Sequence, residues 1–136
     1  MTDPELIAKK LAFVETCVRE LRTLGRPAEI ETDVREERFA EHTLQIALQA
    51  VLDVASHVVS DERLGEPATQ REMIALLERA GWLERDLATR LAAAAGFRNL
   101  LVHGYAAIDP ARVRDVVENH LDDLLMFCAA VRHRMA

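Results

Sequence analysis

The chain has 136 residues, half of them hydrophobic but only 4% aromatic, and a formal charge of −6 at pH 7. This length buries a core without disulfides or metals, and the scarcity of aromatics leaves Leu, Val, Ile and Ala to build it, which favours helices over sheets. The negative charge argues against holding nucleic acid by bulk attraction, and the absence of a basic leader or of an apolar run near ~20 residues points to a cytoplasmic protein.

In chain order, Asp3, Pro4 and Glu5 read as an N-cap with proline at the first helical position, where its missing N–H costs nothing. Ile7, Leu11, Val14, Val18 and Leu21 then recur at three and four residues and end near Gly25, which predicts helix 1. Residues 26–29 connect to a long helix 2, capped by Thr32 or Asp33 and carrying Leu44, Ala47, Leu48, Val51, Leu52, Ala55, Val58 and Val59. The segment from Asp61 to Pro67 reads as a loop. Thr69 and Glu72 have the spacing of a capping box for a short helix 3 that buries Met73, Leu76, Leu77 and Ala80 and stops at Gly81. Helix 4 is expected from Trp82 or Leu83 through Leu87, Leu91, Ala94, Ala95 and Leu101 to Gly104. Asp109 and Pro110 repeat the cap-and-proline start and open helix 5, which runs through Val113, Val117, Leu121, Leu124 and Val131. With no alternating run, the expected fold is all-α: an antiparallel bundle of four long helices and one short one, forming a single domain over 1–136.

The two cysteines, Cys17 and Cys128, stand apart on apolar helix faces and read as reduced core thiols. Asp53 and His57 share a face at i, i+4 with no second pair to complete a metal site, so a helix-stabilising contact is expected and no metal or cofactor is called for. His42 and His133 read as solvent-exposed. Charge is unevenly spread: residues 71–114 carry a net +2 and the remainder −8, so local phosphate binding is compatible with the acidic whole.

The most informative cluster is Arg98-Asn99-Leu-Leu-Val-His103-Gly104-Tyr105. Cleavage of an RNA backbone requires a base to take the 2′-OH proton, a cation to steady the charged phosphorane and an acid to protonate the leaving 5′-oxygen. Histidine supplies both proton transfers, and arginine holds phosphate with a forked donor. Arg98 and His103 are five residues apart, about 140° around an ideal helix, so they meet within one chain only if the last turn tightens or unwinds before Gly104. A two-fold dimer would otherwise set two such pairs side by side. The spacing alone is weakly specific, and capping with ordinary surface polarity is the competing reading. Arg114 and His120 form a looser pair that lacks the Asn, the Gly and the Tyr.

This run resembles the Arg-x4-His-x-Tyr motif of HepT-type toxins in the HEPN superfamily of helical ribonucleases. The order of helices, the Gln45-Ile-Ala-Leu stretch, the segment from Ile74 to Trp82 and Ile108-Asp109 are similar as well, so the resemblance covers nearly the whole chain. It implies an endoribonuclease toxin with Arg98 and His103 catalytic, Asn99 supporting them and Tyr105 the regulated residue. It further implies an RNA substrate, a homodimer and a minimal nucleotidyltransferase antitoxin that transfers AMP to Tyr105. The alternative is a non-catalytic helical partner or scaffold of a nucleotidyltransferase.

Overall fold

The structure is a computed structural model that describes residues 3–104 and 108–136. Its elements are α1 (Pro4–Thr23), a 3₁₀ turn (Pro27–Glu29), α2 (Val34–Asp61), α3 (Gln70–Arg79), α4 (Arg85–His103), α5 (Pro110–Asn119) and α6 (Leu121–Met135), with no strand among the described residues. The caps follow from the sequence. Asp3 accepts from the amides of Glu5 and Leu6, Asp33 from Arg35 and Asp109 from Ala111. Thr69 accepts from the Glu72 amide at 3.1 Å while the Glu72 carboxylate reaches back to Ala68 N–H at 2.7 Å, one residue beyond the usual capping box.

α2 is the centre of the bundle and touches each of the other α-helices. Its sequence explains this position: Leu44, Leu48, Val51, Val54 and Val58 point apolar bulk in several directions, and Ala40, Ala47 and Ala55 let neighbours approach closely, all of them buried. Contrary to the expectation that no segment reaches membrane-spanning length, α2 has the length and composition to do so; 61% of that apolar window lies buried inside the bundle, as expected of a core helix. Cys17 and Cys128 are free and buried, and burial pushes their thiols up to about 11 and about 12, which keeps them protonated and unreactive.

Two boundaries differ from those expected. α4 starts at Arg85, because Gly81 takes a left-handed φ of 83° and the Trp82 amide closes the end of α3 onto Leu77 O at 2.9 Å. Trp82 and Leu83 are buried in this turn, and Arg134 of α6 lies 5.4 Å from the Trp82 ring centroid. The expected helix 5 is two helices that part at His120, whose ψ is 3°. Asn119 and His120 are weak helix formers, and the imidazole bridges the break, 3.2 Å from Asp115 and 3.8 Å from Asp123. Val113, Val117, Leu121 and Leu124 stay in phase across it, so periodicity does not reveal it.

Ion pairs fix the antiparallel run of α1 and α6. Arg22 near the end of α1 meets Asp122 at the start of α6 at 2.8 Å, and Glu15 receives both Arg132 terminal nitrogens, one of them at 2.7 Å. The Arg132 hydrogen bond holds the Glu15 carboxyl below its usual range. A depressed carboxylate pKa contributes stability that is present above the unfolded value and lost as pH falls through the folded one. Glu15→Gln should therefore destabilise the protein at pH 7 by less than about 1 kcal/mol, since the pair is half-exposed. Urea titrations should show that difference shrinking once the pH drops below the ordinary carboxylate range.

Candidate functional site

α4 carries every described residue of the motif, and it remains regular to its end. The Gly104 amide donates to Leu100 O at 2.8 Å and caps the helix with φ −112° and ψ 35°. This is not a left-handed stop. The glycine fits for a different reason: a Cβ there would come within 3.0 Å of Leu100 O and 2.7 Å of Leu100 Cδ1, so a side chain would need the last turn or Leu100 to give slightly. The last turn therefore does not unwind, and Arg98 and His103 stay about 140° apart around the axis. Tyr105 lies outside the described residues.

Arg98 lies on the flank of α4 that faces α2 and is half-buried. Its Nη2 donates to Oε1 of Gln49 and its Nη1 to Oδ1 of Asn99 at 3.1 Å, while Nε is shielded from solvent and has no acceptor among the described residues. Gln49 in turn donates through Nε2 to Asp53 Oδ1 at 2.8 Å, and the other Asp53 oxygen lies 3.5 Å from Lys10 Nζ of α1. A chain of four side chains thus runs from α1 across α2 to the guanidinium. It ties Arg98 in one orientation without giving it a carboxylate partner, so its full positive charge is kept for an anion.

The structure brings Arg98 and Asn99 into contact and leaves His103 apart from both. His103 is exposed, at the helix C-terminus. Asp53 pairs with Gln49 and Lys10 and not with His57, so the expected i, i+4 contact is one turn off. His42 and His133 are exposed, as expected. Arg114 is taken up by Glu118 and Glu31, and His120 by the α5–α6 break, so that looser pair forms no site. Among the described residues no three His, Cys, Asp or Glu side chains converge to hold a metal ion.

Gln49 and Lys10 are the residues that sequence reasoning missed. A signal was present: Gln49 is a polar residue between two buried positions, Leu48 and Ala50, four residues before Asp53. A polar side chain so placed must find partners.

A family model described as Ribonuclease HepT-like matches residues 14–131. The chain is 26% identical to the mRNA nuclease HepT of Shewanella oneidensis over 129 residues, 94% of this chain and 97% of that protein. It is 35% identical to the tRNA nuclease HepT of Aphanizomenon flos-aquae over 78 residues, 57% of this chain and 53% of that protein. Among solved structures, the tri-AMPylated Shewanella oneidensis HEPN toxin in complex with MNT antitoxin superposes with a TM-score of 0.87 at 26% identity, over 98% of this chain and 99% of that one.

The tie between α2 and α4 is measurable without an activity assay. A double-mutant cycle of Gln49→Ala and Arg98→Ala, followed by urea denaturation, should give a coupling of about 1 kcal/mol. Strict additivity would show that the two side chains do not interact in solution.

Proposed function

The chain belongs to the HepT-like ribonuclease family, and from that membership we propose that it is a metal-independent endoribonuclease toxin in which Arg98 and His103 act on the RNA backbone and Asn99 supports Arg98. The observation that carries this reading is the pairing of a pre-oriented, carboxylate-free Arg98 with an exposed His103 on the last two turns of one helix. Arg98 holds the scissile phosphate through the face of its fork that Gln49 and Asn99 leave open. A His103 imidazole takes the proton from the ribose 2′-OH as that oxygen attacks phosphorus. The P–O5′ bond breaks, and an imidazolium returns a proton to the leaving oxygen.

One chain does not complete this arrangement, because Arg98 and His103 look to different sides of a rigid helix. The site is therefore assembled in a homodimer, in which the His103-bearing face of each α4 meets the other copy. In support, that face carries Ala92 and Gly96, and a Cβ built on Gly96 meets nothing within 4 Å, which leaves room for a close helix crossing. The partner that restrains the toxin is a minimal nucleotidyltransferase antitoxin, by analogy with the AMPylated, MNT-bound Shewanella toxin. It transfers AMP to Tyr105, two residues after His103 in sequence. Each attached AMP brings a phosphate anion that competes for the donors meant for RNA.

Two measurements test this reading. Purified wild-type protein incubated with RNA in EDTA should cut it. His103→Ala should abolish the cut with the fold intact, and Arg98→Lys should recover little over Arg98→Ala, because a point charge does not replace the fork. Full cleavage by His103→Ala would sink the nuclease assignment, and RNA left intact by the wild type would favour the non-catalytic partner reading. Separately, co-expression with a minimal nucleotidyltransferase of the MNT antitoxin type should add AMP mass to Tyr105 and silence cleavage, while Tyr105→Phe should resist that silencing. An unmodified Tyr105 in a neutralised complex would mean inhibition by occlusion alone.

A further inference from the structure

α2, α4, α5 and α6 enclose a cavity of about 190 Å³. Leu44, Leu48, Ala94, Phe97, Val116 and Leu124 form its apolar floor and walls. Its rim is polar and electrically balanced. Arg90 Nε donates to Asp123 at 2.7 Å, His120 stands between Asp115 and Asp123, and the Arg112 guanidinium carbon lies 5.3 Å from the centroid of the Phe97 ring, with no carboxylate partner among the described residues. Two arginines face two aspartates, so the site suits a neutral ligand better than a phosphate. A cavity of about 150 Å³ accepts benzene, so this one holds a single aromatic ring system and excludes a whole nucleotide.

The cavity lies on the same two helices as the site already described. Its wall residues Leu48 and Phe97 immediately precede Gln49 and Arg98, the two partners of the hydrogen bond that orients the guanidinium. On each helix the next residue lies about 100° further round, so Arg98 is on the neighbouring face of α4 and outside the cavity wall.

We propose that this cavity is the subsite for one nucleobase of the RNA, that of the nucleotide whose phosphate rests on Arg98; the proposal rests on the ribonuclease reading above. The base enters edge-first against Leu48, Ala94 and Val116, with the planar guanidinium of Arg112 and the ring of Phe97 as its stacking surface. Asp115 accepts from the amino group of the base: its carboxyl is held below the usual range by the hydrogen bond from Asn119 and is ionised at neutral pH. Adenine, guanine and cytosine carry such a group and uracil does not, so uracil is disfavoured.

The test is a titration of the full-length protein with the four nucleosides, which lack phosphate, read by NMR of the Leu44, Leu48, Val116 and Leu124 methyl groups. Saturable shifts are expected with at least one of adenosine, guanosine and cytidine, and weaker ones with uridine. Ala93→Phe, which crowds the cavity mouth from an exposed position, and Arg112→Ala should each weaken binding roughly ten-fold. On RNA with randomised bases around the cut, wild-type protein should prefer certain bases at one position, and both variants should flatten that preference. Arg112 is exposed, so its variant keeps the test valid if Ala93→Phe does not fold. Methyl groups that respond to no nucleoside, or to indole alone, overturn the proposal. The two readings fail separately: wild-type protein that cuts no RNA counts against the enzyme while the titration still reports on the cavity, and cleavage with a silent titration counts against the cavity alone.

Discussion

Burial of the middle of α2 among five other helices is the constraint from which the rest of the bundle follows. A polar side chain on a packed flank of that helix has little water to turn to and must be matched from a neighbouring helix. Gln49 and Asp53 meet that requirement with Arg98 from α4 and Lys10 from α1. The same contacts that make α2 stable therefore fix the cation of the site. Helix packing and the orientation of Arg98 meet at one glutamine.

The second constraint is the regularity of α4. Its hydrogen bonding continues to Gly104, and the absence of a side chain at that position lets the chain leave the helix without moving Leu100. A rigid helix keeps Arg98 toward α2 and His103 toward solvent. That division leaves Arg98 and His103 on different sides of α4 within one chain.

Charge follows the same logic. The chain is acidic as a whole, yet some of its carboxylates are spent on ion pairs that tie its segments together: Glu15 on Arg132, Asp122 on Arg22, Asp123 on Arg90, and Glu31 on Arg114. Arg98 and Arg112 stand apart from these pairs, the first bound to neutral amides and the second laid over an aromatic ring. A negative net charge thus coexists with two guanidiniums that have no carboxylate partner among the described residues.

The sequence by itself determined the all-helical class, the caps at Asp3, Asp33, Thr69 and Asp109, the stop at Gly81 and the candidate chemistry of Arg98 and His103. These features are local: a cap, a turn glycine or an apolar stripe acts within one or two helical turns, and so does the residue spacing that exposes it. The break at His120 was hidden because the apolar phase runs through it, and the burial of Trp82 and Leu83 in a turn looked like the start of a helix. Only the tertiary structure decided that Gln49 holds Arg98, that Asp53 turns to Lys10 instead of His57, and that Phe97 and Arg112 close over a cavity. Those contacts join residues far apart along the chain, and their partners are chosen by how α1, α4 and α5 pack against α2, a choice that no periodicity within a single helix records.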